Sequence, residues 1–230
     1  MSPTPANDLQ AVLFDMDGTL VDTEDLWLQA VTDEAALLGL VLSAEDQPHI
    51  LGRAVEDTAA HLHRRQQDES VPAPRPLDRL SAALEQRFTR LVKAGVVPLP
   101  GALALLDALK AAGVTTALVS ASPRHVVDVV LDALGRHRFA VSFAAGETPA
   151  TKPAPDPYLA AASALGVTPS HCVAVEDTPN GIASAEAAGC QVLAVPSSAP
   201  IEAQPGRVVV DSLLNVDLAL LRSLTGAGAR

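Results

Sequence analysis

Asp15 and Asp17 stand one residue apart at the end of an apolar run, in the stretch AVLFDMDGTLVDTED from Ala11 to Asp25. Asp is poor in strands and in apolar cores. Two carboxylates this close repel each other unless a positive charge lies between them. Other polar residues follow strand-like apolar runs in the same way. Ser120, Ala121 and Ser122 follow TTALV, Glu176 and Asp177 follow CVAV, and GETPATKPAPDPY carries Lys152 beyond a weaker run. This set suits phosphoryl transfer. Oxygens from Asp15, Asp177 and a loop carbonyl make a hard donor set for Mg2+, which takes octahedral oxygen ligands at about 2.0–2.1 Å. An ionised Asp can attack phosphorus. A second carboxyl can protonate the leaving oxygen and then deprotonate the incoming water. Lys152 and Ser120 would hold the nonreacting phosphate oxygens, helped by backbone N–H groups at the following helix start.

Those residues need a scaffold that brings distant segments to one edge. Ala11 to Phe14 is short and continuously apolar, as in a strand buried on both faces of a parallel sheet. From Asp22 to Val97 the patterns are helical: Thr23 to Leu38 before Gly39, then a helix from Ala54, the Pro-rich loop DESVPAPRP, and Pro76 to Gly95. After VVPLPG, helix and strand alternate. Strands are expected at Thr115 to Val119, Ala140 to Ala144, Cys172 to Val175, Gln191 to Val195 and Arg207 to Val210, with a helix over Gly181 to Ala188 and a terminal helix from Leu213. Alternation of this kind predicts an α/β chain: a Rossmann-like parallel sheet core with helices on both faces, and an inserted all-helical domain. The first strand must join that sheet, since a lone strand is not stable. The core is therefore expected over 1–21 and 98–230, and the helical insert over 22–97. Ligands of open parallel sheets bind beyond the carboxyl ends of the strands, where these polar residues fall.

Composition narrows the partners. The net charge of -11 disfavours nucleic acid and anionic membrane, and any anionic substrate needs local positive charge. With 48% hydrophobic but 3% aromatic residues, the core must be built from Ala, Leu and Val. Cys172 and Cys190 read as buried apolar residues of a reducing compartment. The first ten residues form a polar tail without signal-peptide character, and no run reaches membrane-spanning length. A cytoplasmic monomer acting on a small phosphorylated metabolite is the expectation.

DMDGTLVD, VSAS, KPAPDPY and VEDTPNGIASAEAAG, in this order and spacing, resemble the four motifs of the haloacid dehalogenase superfamily of phosphotransferases. The resemblance covers nearly the whole chain, with the helical insert in the place of the cap. It implies that Asp15 is the nucleophile and Asp17 the general acid/base. It implies that Ser120 and the backbone N–H of Ala121 bind phosphate, and that Lys152 neutralises nucleophile and phosphate. For the metal it implies the Asp15 side chain, the Asp17 carbonyl and the Asp177 side chain, with Glu176 ligating directly or through water. Thr19 is expected to fix the carboxylates by hydrogen bonds. Trp27, on the first cap helix, reads either as core packing or as substrate contact. Arg53 reads either as a surface residue or as a substrate-reading arginine.

Three functions compete: a Mg2+-dependent phosphatase of small metabolites such as sugar phosphates, a sugar phosphomutase resembling beta-phosphoglucomutase, and a retired phosphometabolite-binding protein. Such mutases carry a histidine where Trp27 stands and an arginine where Val55 falls, which counts against mutase chemistry. Intact Asp15, Asp17, Lys152 and Asp177 count against mere binding. Dehalogenases of this superfamily typically lack the second Asp, so dehalogenation is disfavoured too.

Overall fold

The computed structural model describes residues 9–51, 53, 55–197 and 200–226. Eight of the ten residues of the expected polar tail therefore lie outside the described residues. The described residues up to Val21 and from Pro98 form one compact unit, and those of Asp22–Val97 a second.

The first unit is built on a six-stranded sheet. Its strands are β1 (Ala11–Phe14), β4 (Thr115–Val119), β5 (Val141–Phe143), β6 (Cys172–Glu176), β7 (Gln191–Ala194) and β8 (Arg207–Val209). Their order is β5-β4-β1-β6-β7-β8, and every pairing is parallel. From β1 the chain builds outward through β4 and β5 on one side and through β6, β7 and β8 on the other. That reversal at β1 is the topological switch point, where a crevice opens beyond the strand ends. β1 is wholly buried, which explains its unbroken apolar run.

Alternate residues of the strands face opposite sides of the sheet. Ala11, Leu13, Ala117, Val119, Ala174 and Val192 pack with Tyr158 and Ala161 of α6 (Asp156–Leu165) and Ile182 and Ala185 of α7 (Pro179–Ala187). Val12, Phe14, Leu118, Val173 and Leu193 are equally buried on the other side, where α4 (Ala102–Ala111) meets β4 and α8 (Leu218–Gly226) meets β6 and β7. Small residues on the first side let α6 and α7 approach closely in a core with few aromatics. Both cysteines are free and buried there, and burial pushes their thiols up to about 11 and about 12. Two helix starts differ from the sequence pattern, each through a cap. α7 begins at Pro179 because Thr178 Oγ1 accepts the Gly181 N–H at 3.2 Å. α8 begins at Leu218 because Asp217 Oδ1 accepts the Leu220 N–H at 2.8 Å; Leu213–Asn215 form only a 3-10 turn.

The second unit is helical: α1 (Glu24–Leu37), α2 (Val55–Asp68) and α3 (Leu77–Ala94). α3 buries Leu80, Leu84, Phe88 and Val92, four residues apart, as one stripe. Two buried acids are each met by basic side chains. Glu34 pairs with Arg75 and Arg87, and Asp46 with Arg65 and His61. The chain leaves and returns through two short strands that pair with each other, β2 (Val21–Asp22) and β3 (Val97–Pro98). Among the described residues, no helix is long and apolar enough to cross a membrane.

Candidate active site

Three loops at the carboxyl edge of β1, β4 and β6 converge with a fourth that carries Lys152. Asp15 follows β1 directly, and its N–H donates to Val175 O at 2.9 Å, which continues the ladder to β6. Glu176 closes β6, with Asp177 after it. Asp15, Glu176 and Asp177 are all buried, and each offers a carboxylate oxygen within 4.8 Å of the others.

Lys152 holds this cluster together. Its Nζ donates to Asp15 Oδ1 at 2.6 Å, to Glu176 Oε1 at 2.7 Å and to Val119 O at 2.9 Å. Burial pulls its ammonium down, but Asp15 and Glu176 outweigh burial and hold it above its usual range. One lysine does not balance three carboxylates. Burial, reinforced by the Asp15 charge, pushes Glu176 up to about 7 although Lys152 opposes it. The same two causes push Asp177 up to about 8.

Asp17 faces the loop after β4. Its Oδ2 accepts from Ser122 Oγ at 2.8 Å and from Ser120 Oγ at 3.2 Å. Ser120 is placed by its N–H, which donates to Phe143 O at 2.9 Å, and Ala121 lies exposed at the bend that follows. Between the two aspartates and β2 the chain turns at Gly18, whose φ is +76°. A Cβ there would lie 2.2 Å from Asp177 Oδ2, so only glycine lets this turn pass the acid. Thr19 does not reach the carboxylates: its buried hydroxyl has no hydrogen-bond partner, which corrects the role expected of it.

Three residues that received no role from the sequence join the site. Ser122 was visible only as the second hydroxyl of VSAS. Tyr158 Oη donates to Glu176 Oε1 at 2.5 Å, and Ser197 Oγ donates to Asp177 Oδ2 at 2.6 Å. Tyr158 closes the KPAPDPY motif, whereas Ser197 lies in a polar stretch outside the four motifs. Trp27 and Arg53 belong to the helical unit. Trp27 is buried, stands edge-on to Phe88 at 5.5 Å and donates its Nε1–H to Ile50 O at 2.9 Å. Arg53 is exposed and donates from Nε to Pro48 O at 3.0 Å.

The acids fit a hard cation. Asp15 Oδ2 and Glu176 Oε2 are buried carboxylate oxygens without a hydrogen-bond partner. Such atoms are costly unless something positive meets them. The donors are all oxygen, the preference of Mg2+ and Ca2+ rather than of softer metals. The pieces on one sheet edge are thus a buried carboxylate held by a lysine, a second carboxylate held by hydroxyls, and an acidic pocket fit for a metal.

The chain has relatives among known proteins. The chain is 36% identical over 197 residues to the protein CbbY of Rhodobacter capsulatus, covering 83% of this chain and 86% of that protein. It is 35% identical over 224 residues to hexitol phosphatase B of Escherichia coli K12, covering 96% of each. Its fold is similar to the crystal structure of CbbY from Rhodobacter sphaeroides in complex with phosphate, with a TM-score of 0.78 at 30% identity, covering 93% of this chain and 99% of that one. The family model described as haloacid dehalogenase-like hydrolase matches residues 9–189. With that match spanning all four motifs and the edge of the sheet on which they meet, the chain belongs to the haloacid dehalogenase-like hydrolase family.

Proposed function

We propose that the protein is a Mg2+-dependent phosphatase of small phosphorylated sugars or sugar alcohols, acting through an aspartyl-phosphate on Asp15. The observation that carries this reading is the Lys152–Asp15 contact at 2.6 Å beside a second aspartate, Asp17, held by Ser120 and Ser122. Binding alone needs neither a nucleophile held by a cation nor a separate acid. The similarity to a hexitol phosphatase supports the substrate class.

In this reading the Asp15 carboxylate attacks phosphorus and the P–O ester bond breaks. The leaving oxygen keeps the electron pair and takes the proton of the Asp17 carboxyl. Asp17, now a carboxylate, takes a proton from water, whose oxygen attacks phosphorus and releases phosphate and Asp15. Lys152, Ser120 and the Ala121 N–H bind the nonreacting oxygens. Mg2+, held by Asp15, Asp177 and the Asp17 carbonyl with Glu176 beside them, would offset the charge of phosphate and acids. Trp27 and Arg53 are kept as candidate substrate contacts of the cap.

The test is purified protein against a panel of phosphomonoesters, with and without chelator, scored by kcat/KM. Mg2+-dependent phosphate release from sugar or hexitol phosphates is expected. Full activity in metal-free buffer would refute the metal. Incubation of beta-glucose 1-phosphate with a trace of the bisphosphate separates the mutase: glucose 6-phosphate forming faster than inorganic phosphate would overturn the phosphatase reading.

A further inference from the structure

Asp17 receives two hydroxyl donors on one oxygen, and they are not equivalent. Ser122 Oγ donates to Oδ2 at 2.8 Å and Ser120 Oγ at 3.2 Å, while Ser120 Oγ itself accepts the Ser122 N–H at 2.9 Å. A hydroxyl carries one proton. Ser120 can therefore give it to Asp17 or to a phosphate oxygen, but not to both. Once phosphate occupies the loop, Ser122 is the hydroxyl of this pair that still serves Asp17. It is well fixed for that task. The Ser122 C=O accepts the Ala145 N–H at 3.0 Å, and Pro123 follows at the start of α5 (Arg124–Leu134), which restricts the Ser122 backbone to extended conformations.

We propose that Ser122 is the positioning residue for Asp17, keeping its carboxyl aimed at the leaving oxygen after phosphate has claimed Ser120. The proposal rests on the phosphatase reading above. With Oδ2 held by Ser122 Oγ at 2.8 Å, the proton for the leaving group is delivered from Oδ1. As the P–O bond breaks, the electron pair stays on the ester oxygen, which takes the Oδ1 proton and leaves Asp17 a carboxylate. The Ser122 hydroxyl keeps its proton throughout and touches no reacting atom.

The leaving group tells positioning of the acid from other roles. A sugar-alcohol oxygen needs a proton to depart, whereas 4-nitrophenolate needs little help. The experiment compares wild type, Ser122→Ala and Ser122→Thr, all with Mg2+, on a hexitol 6-phosphate and on 4-nitrophenyl phosphate, with inhibition by inorganic phosphate as a binding control. Ser122→Ala is expected to lower kcat on the hexitol phosphate by about tenfold, the size of one hydrogen bond to a charged group. On 4-nitrophenyl phosphate kcat/KM, which ends at departure of the leaving group and so excludes the later attack of water, should stay within about twofold, since little proton transfer is needed there. KM and phosphate inhibition should be unchanged, and Ser122→Thr, which keeps the hydroxyl, should recover the loss. If Ser122→Ala does not fold, Ser122→Cys, with its weak donor, reads the same ratio between substrates. An equal loss of kcat/KM on both esters overturns the proposal, as does a raised KM with weaker phosphate inhibition, which would make Ser122 a phosphate contact. If wild type hydrolyses neither ester, the phosphatase reading fails and takes this proposal with it; if wild type hydrolyses both, only the proposal is at stake.

Discussion

Lys152 Nζ lies 2.6 Å from Asp15 Oδ1, joining two residues 137 positions apart in the chain. Lys152 also holds Glu176, so it is the shared partner of two buried acids. Lys152→Met should lower kcat/KM by roughly 10²–10³-fold, the usual effect of removing one donor from a preorganised site. It should also destabilise the metal-free protein by about 3–5 kcal/mol, because buried carboxylates lose their cation. Thermal unfolding in chelator checks the second effect, and an unchanged Tm would count against the pairing.

Asp15→Asn should abolish turnover, since an amide is not a nucleophile. The fold should survive, because Lys152 keeps Glu176 Oε1 as a partner at 2.7 Å. Near-native activity in this variant would refute Asp15 as the nucleophile.

The raised carboxyls make metal-free stability depend on pH, with a definite sign. Glu176 rises from 4.5 to about 7 and Asp177 from 3.8 to about 8, so the folded state binds protons more tightly than the unfolded chain. That contribution is fully present below the unfolded values and is lost as pH rises through the folded ones. In chelator, stability should therefore fall between roughly pH 4 and pH 8 and level off above that. Mg2+ competes with the protons, so it should flatten the slope. Chemical unfolding at several pH values, with and without Mg2+, measures this. A metal-free stability that rises across the window would contradict the site's electrostatics.

Gly181 lies in α7 against the Glu176 carboxylate: a Cβ there would sit 1.9 Å from Oε2. Gly181→Ala should gain about 1 kcal/mol in helix propensity but lose more to crowding, of which about 1–3 kcal/mol is typical. The net result should be a lower Tm together with impaired activity, because Glu176 cannot shift without disturbing Lys152 and Tyr158. A stabilised and fully active variant would show that the carboxylate is free to move.

Much of this protein was decided locally, and such features are legible from sequence. Continuous apolar runs bounded by polar residues specify β1, β4, β6 and β7, because strands buried on both faces tolerate nothing else. The helical periodicity of Thr23 to Leu38 and Pro76 to Gly95 is equally local. Asp15, Asp17, Ser120, Lys152, Glu176 and Asp177 stood out as polar groups just past such runs or inside distinctive motifs. Where caps compete with periodicity, as at Thr178 and Asp217, the pattern alone misplaces the helix start by two to five residues, because a single side-chain hydrogen bond sets it. Tertiary structure alone decided the partners. Which oxygen Lys152 grips, that Ser122 outreaches Ser120 toward Asp17, that Tyr158 and Ser197 turn onto the acids, that Thr19 does not, and that the Trp27 donor goes to Ile50 all depend on distances across separate segments. Spacing along a chain carries no such distances. They arise only when the parallel sheet sets its strand ends side by side at the switch beside β1.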